Sequence, residues 1–203
     1  TLNSFGIKTY IFDVPAPTPA CSFSVVDQNA ANGVMITASH NAPEWNGFKV
    51  KSNSGGSAAP EEIVDIEAHL HQVLEGTANR ISASQAQNHT FDVVTSYIEQ
   101  LRRVIDVEPI KNSRLKVVVD SMHGSGAGIL PAVLNGGSIE VIEIRSEPNP
   151  DFPGMRQPEP IEPNLKPLSS TVREMNADIG IALDGDADRL GIVDEAGIFF
   201  STL

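Results

Sequence analysis

Two consecutive α/β domains, each a mixed sheet flanked by helices, are predicted by three observations. Apolar runs of strand length alternate along the chain with amphipathic segments of helix length. A Pro109-containing connection at 107–113 separates two such sets. The 203 residues, 40% hydrophobic and 20% charged, hold enough apolar material for a buried core. The first domain is expected over residues 1–107 and the second over residues 113–203.

Lys8–Val14 reads as a strand closed by Pro15-Ala-Pro-Thr-Pro19, where proline can neither donate to a ladder nor continue a helix. A helix to about Asn29 follows. Gly33–Ala38 and Asn46–Lys51 are strands flanking a polar loop, Ser39 to Trp45. After Gly55-Gly56, Pro60 opens a helix with Glu61 and Glu62 in its first turn; Ile63, Ile66, Leu70, Val73 and Leu74 line one face, and Gly76 ends it. Residues 77–90 carry no periodicity, and Phe91 to about Ile105 is a second amphipathic helix.

Beyond the connection, strand Leu115–Asp120, a Gly-rich turn Ser121–Gly128, a short helix Ile129–Leu134 and strand Ile139–Ile144 make a βαβ pattern. Six prolines in 146–164 exclude regular structure there. A helix from 165 to about 176 and strand Ile179–Leu183 complete the unit, and Leu190–Asp194 is a further strand. The chain starts at Thr1 without Met and stops inside the apolar run Ile198–Leu203, so it is read as an internal fragment.

With 26 acidic against 14 basic residues the formal net charge is −12, which argues against a nucleic-acid partner, because phosphate backbones are bound by clustered Lys and Arg. Cys21, the only cysteine, forms no internal disulfide, and neither an 18-residue apolar span nor a signal-peptide pattern is present. A reducing, cytoplasmic setting away from membranes is expected; no feature of the sequence sets an oligomeric state.

Asp184-Gly-Asp-Ala-Asp-Arg189 places three carboxylates at alternate positions between two apolar strands. Such charges repel unless a cation sits among them, and hard oxygen donors suit Mg²⁺ or Ca²⁺; the plain alternative is a solvated acidic turn. An EF-hand loop fails because Arg189 stands where its sixth-position Gly belongs. A haloacid-dehalogenase-like phosphatase using Asp184 as nucleophile is the runner-up, although Asp188 replaces that family's usual Thr or Val.

Thr37-Ala-Ser-His-Asn-Ala-Pro-Glu-Trp-Asn-Gly-Phe-Lys49 puts Ser39 at a strand end, His40 beside it and Lys49 on the returning strand. A nucleophile, an acid/base and a charge-stabilising group could converge there. Taken singly, Lys49 reads equally as a surface residue and His40 as a structural one. A G-x-S-x-G elbow is absent, since Thr37 and Asn41 occupy its glycine positions.

Together, in this order and 145 residues apart, the two motifs resemble those of the α-D-phosphohexomutases, the phosphoglucomutase/phosphomannomutase family. Its phosphoserine motif reads T-[AG]-S-H-N-P followed by N-G-x-K, and its metal loop reads D-G-D-[GA]-D-R. The Gly-rich turn His123–Gly128 and the loops Asp151–Gly154 and Pro158–Pro160 match as well. Ala42 takes the place of the usual Pro, with Pro43 following, and Trp45 replaces the commoner Tyr.

The resemblance implies the first two of four domains, the first lacking its N-terminal strand, and without the sugar- and phosphate-gripping loops of the third and fourth. It implies a phosphoserine at Ser39 and Mg²⁺ held by Ser39, Asp184, Asp186 and Asp188. Arg189 and Asn41 would bind a phosphorylated hexose, Lys49 would transfer a proton at a pKa tuned towards working pH, and His40 would support Ser39. The implied reaction interconverts hexose 1- and 6-phosphates through a hexose 1,6-bisphosphate. Thr37–Asn41 and Glu44–Lys49 look more like the glucose/mannose enzymes than like phosphoglucosamine mutase, which stays an alternative beside a non-catalytic, metal-binding fragment.

Overall fold

The computed structural model describes residue 2, residues 5–77 and residues 88–200. Most of the polar stretch 77–90 and the last three residues of the apolar run 198–203 lie outside them.

In the N-terminal part, β1 (Thr9–Phe12) precedes α1 (Thr18–Asp27), which starts where the proline run allows, with Thr18 and Pro19 as its first residues. β2 (Gly33–Ile36) and β3 (Phe48–Lys51) pair antiparallel, so the Ser39 loop is the connection of a hairpin. α1 packs on this pair at Gly33, where a Cβ would lie 2.5 Å from Val25 Cγ2. α2 (Pro60–Leu74) begins with Pro60 at its first turn and Glu62 Oε2 accepting from the Ala59 N–H at 2.8 Å.

The periodicity of α2 was expected to bury a face. Among the described residues little covers it: none of its residues is buried, Ile63 is half-buried, and Ile66, Leu70, Val73 and Leu74 are 43–74% exposed.

Two short elements depart from the sequence reading. β4 (Asn88–Phe91) pairs parallel with β1 in register Thr9↔Asn88 to Phe12↔Phe91, although Asn-His-Thr-Phe carries no apolar alternation. α4 (Val107–Lys111) forms within the expected connection and tolerates Pro109 because the first turn needs no amide donor there. Between them, α3 (Val93–Val104) is opened by Asp92, whose side chain accepts from the Thr95 N–H at 3.0 Å.

The C-terminal part is a five-stranded mixed sheet in the order β6-β5-β7-β8-β9. β5 (Lys116–Asp120) lies parallel to both β6 (Glu140–Ile144) and β7 (Ile179–Leu183); β8 (Leu190–Asp194) and β9 (Phe199–Phe200) continue antiparallel. α6 (Lys166–Met175) places Leu168 and Val172 on Val118, Ala182 and Val193, the apolar centre of this part. α5 (Ile129–Leu134) packs with α4 against Val94, Tyr97, Ile98 and Leu101 of α3, whose Val93 packs instead on Ala16 and Ala20. α3 therefore touches both parts. In the N-terminal part the described strands make two separate pairs, one parallel and one antiparallel. No described helix is long and apolar enough to cross a membrane.

Candidate active site

The carboxylate loop 184–189 links β7 to β8, whose pairing runs up to Leu183↔Leu190. It opens at the C-terminal end of a strand parallel to its neighbour, where α/β sheets place their ligands. Three surroundings hold it. The Gly185 N–H donates to Pro158 O at 3.1 Å, so the Pro-rich stretch backs the loop; the Ser125 N–H donates to Gly185 O at 3.0 Å; and the Thr18 N–H, at the start of α1, donates to Asp186 O at 2.9 Å.

Asp184 is fully buried. Its Oδ1 accepts from the backbone N–H groups of Asp188 and Arg189, both at 3.0 Å, while its Oδ2 has no hydrogen-bond donor. Burial, together with the charges of Asp186 and Asp188, pushes its pKa up to about 7. Asp186 is also buried: Oδ2 accepts from Thr18 Oγ1 at 2.7 Å, Lys49 Nζ at 2.9 Å and Thr37 Oγ1 at 3.2 Å, and Oδ1 is without a partner. Burial opposes its ionisation, but the bonds from Lys49 and Thr18 outweigh it and hold the pKa below the usual carboxylate range.

Oxygens of Asp184, Asp186 and Asp188 lie within 4.8 Å of one another. Two buried, unpartnered carboxylate oxygens beside a third carboxylate fit a hard divalent cation, since orphaned buried oxygens are otherwise costly.

Ser39 enters from the N-terminal part. Its backbone is left-handed (φ 56°), and its carbonyl oxygen sits where a Cβ on Gly185 would come within 2.7 Å, so only glycine lets the two loops meet. The Ser39 N–H donates to Thr37 Oγ1 at 2.8 Å. Arg189 Nη2 donates to Ser39 Oγ at 3.3 Å and also contacts His40 Nδ1, which lies 3.4 Å from Ser39 Oγ. Arg189 is further surrounded by Asp184, Asp188 and Glu159 at 3.7–3.8 Å. Lys49 bridges Asp186 and Asp188 at 2.9 and 3.2 Å.

Of the residues singled out in the sequence, Ser39, His40, Lys49, Asp184, Asp186, Asp188 and Arg189 meet in one place. Asn41 stays exposed and only its backbone N–H is engaged, closing a turn on Ala38 O at 3.0 Å. Without a cation, partial burial lowers the Lys49 pKa, but hydrogen bonds and charge from Asp186 and Asp188 prevail and raise it. Thr18 and Thr37 were missed as site residues. Thr37 lay inside a recognised motif without a role, and Thr18 meets Asp186 across 168 positions, beyond any local pattern.

Models of phosphoglucomutase/phosphomannomutase α/β/α domains I and II match residues 1–77 and 95–197 respectively. A phosphoglucomutase/phosphomannomutase from Thermococcus kodakarensis is 38% identical over 186 residues, covering 91% of this chain and 40% of the relative. A probable phosphoglucosamine mutase from Methanopyrus kandleri is 38% identical over 182 residues, 90% and 39% of the two chains. A crystal structure of a protein from Thermus thermophilus, 37% identical, superposes with a TM-score of 0.86 over 99% of this chain and 45% of that one. The chain thus spans about 40% of the length of the curated relatives it matches. Both family models are of mutase domains, and Asp184 has one oxygen bonded to the backbone and both buried, so the phosphatase reading is not sustained. On the two domain matches and the identities, the chain belongs to the α-D-phosphohexomutase family, carrying its first two α/β/α domains.

Proposed function

We propose that this chain is the phosphoserine- and metal-bearing part of a mutase that interconverts the 1- and 6-phosphates of glucose and/or mannose. The observation that carries the reading is the seating of the Ser39 loop on Gly185, with Arg189 reaching Ser39 Oγ beside the carboxylate cluster.

In the active form Ser39 carries a phosphoryl group. A sugar hydroxyl oxygen forms a bond to phosphorus as the Ser39 Oγ–P bond breaks, giving a hexose 1,6-bisphosphate, and the hydroxyl loses its proton. After the bisphosphate turns round, Ser39 Oγ takes the other phosphoryl group, and the sugar oxygen it leaves gains a proton. Arg189 gives the phosphoryl oxygens a fixed positive charge. Lys49 Nζ in its neutral form takes the proton that the attacking sugar hydroxyl loses and, as the ammonium so formed, returns it to the sugar oxygen released in the second transfer; His40 supports Ser39 or shares that role. Mg²⁺ held by Asp184, Asp186, Asp188 and the phosphoserine would neutralise charge on the transferring group.

Asn41 is assigned to substrate binding from the loop it shares with Ser39. The lone, buried Cys21 suits a reducing, cytoplasmic setting. Without the remaining domains, the 203-residue chain is expected to bind the cation but not to turn over sugar phosphates.

Mass spectrometry of the protein incubated with glucose 1,6-bisphosphate tests the reading. An acid- and hydroxylamine-stable phosphate on the Ser39 peptide, absent in Ser39→Ala, supports it; a hydroxylamine-labile one on the Asp184 peptide would overturn it, and none would leave the non-catalytic, metal-binding fragment. Relatives named as probable phosphoglucosamine mutases match at the same 38% identity, which favours a second reading with an amino sugar. Coupled assays of the longer enzyme with mannose, glucose and glucosamine phosphates separate the two.

A further inference from the structure

Asp186 is a carboxylate with its two oxygens treated unequally. Three donors, Thr18 Oγ1, Lys49 Nζ and Thr37 Oγ1, converge on Oδ2 at 2.7, 2.9 and 3.2 Å, which saturates its lone pairs. Oδ1 is buried and bare. All three donors come from the N-terminal part, whereas Asp186 belongs to the C-terminal one. Thr18 does more than donate through its hydroxyl. Its backbone N–H, which as the first amide of α1 has no partner within the helix, donates to Asp186 O at 2.9 Å. The same residue thus fixes Asp186 at main chain and side chain, and the carboxylate lies at the positive end of α1. Thr18 is 2% exposed, so water does not compete for the bond.

We propose that Thr18 is a positioning residue for the metal centre: by holding Asp186 Oδ2 it turns Oδ1 towards the cation, so the N-terminal domain completes a metal site whose carboxylates all lie in the other domain. Thr37 assists, joining the Ser39 N–H to the same Oδ2 through one hydroxyl. The inference rests on Asp186 being a metal ligand. Hydrogen-bond partners of ligating carboxylates typically change metal affinity by about 10–100-fold when removed. Metal bound at Oδ1 must, reciprocally, strengthen the Thr18 contact.

The test is Mn²⁺ binding by the 203-residue chain, followed by electron paramagnetic resonance and competed with Mg²⁺, together with circular dichroism melting. Thr18→Val keeps the shape and the backbone amide but removes the hydroxyl; Thr18→Ser keeps the hydroxyl. Thr18→Val is expected to weaken Mn²⁺ binding by about 10-fold or more while still folded, and Thr18→Ser to restore it to within about 3-fold of the unsubstituted chain. Equal affinity in folded Thr18→Val, or failure of Thr18→Ser to rescue, overturns the inference. Should Thr18→Val not fold, exchange of the Thr18 amide proton in the unsubstituted chain decides, because Mg²⁺ must slow it and an unchanged rate overturns the inference. Absence of Mn²⁺ binding in the unsubstituted chain would instead sink the metal centre itself, and with it the mechanism proposed above.

Discussion

Asp184 holds its proton in the folded, metal-free chain up to about pH 7, whereas an unfolded Asp releases it near about 3.9. Between those values the folded state binds more protons than the unfolded one. Stability must therefore fall as pH rises from about 4 to about 7 and level off above. Asp186, with its pKa lowered, acts in the opposite sense but only in more acid solution, where its own protonation begins. Melting in a chelator at pH 5, 6, 7 and 8 should show the decline, and Asp184→Asn should remove it; an unchanged slope in that variant would refute the assignment to Asp184. The carboxylates, Ser39 and Lys49 were legible because each sits in a short run whose chemistry is local: alternate acids between apolar strands, a hydroxyl in the connection of a hairpin and an amine on its returning strand. The charge state of Lys49 and the roles of Thr18 and Thr37 were not, because they depend on partners 137–168 positions away.

At the scale of elements, periodicity located four of the five strands of the C-terminal sheet, all but β9, and the helices that cover it, since burial on one face imprints a repeat on the sequence. β4 escaped because a four-residue strand of Asn-His-Thr-Phe is specified by its partner β1, not by its own residues. α4 escaped because a proline in a five-residue segment reads as an interruption, although it sits within the first turn. Packing between α6 and the sheet makes a prediction of its own. A Cβ at Gly180 would lie 2.6–2.8 Å from Val193 Cγ2, Leu168 Cδ1 and Val172 Cγ2, all fully buried, so three side chains would have to move together. Gly180→Ala should cost about 1–3 kcal/mol, read as a lower urea midpoint with an unchanged m-value. An unaffected midpoint would show that α6 is held less tightly than its burial implies.

Across the whole molecule, the two parts meet at two places of different character. At one, α3 lays an apolar face on α4 and α5; at the other, polar and charged groups of the Ser39 hairpin and α1 converge on the carboxylate loop. The sequence reading anticipated both the two parts and the meeting of the Ser39 and Asp184 loops. It had no means of seeing that α3 would bridge the parts, because an amphipathic repeat marks a buried face but not the element that buries it. The same blindness applied to α2, whose repeat is as regular and whose face is mostly bare.

That mostly bare face sets a clock. The amides of α2 are shielded mainly by the helix's own marginal tendency to stay wound, because none of its residues is buried against the other described residues. Those of β5 and β7, paired on both sides, open only when the whole sheet does. Transferred into heavy water, α2 should take up deuterium within seconds to minutes while Val117–Val119 retain protium for hours. Slow uptake along α2 would mean that its apolar stripe is covered in solution.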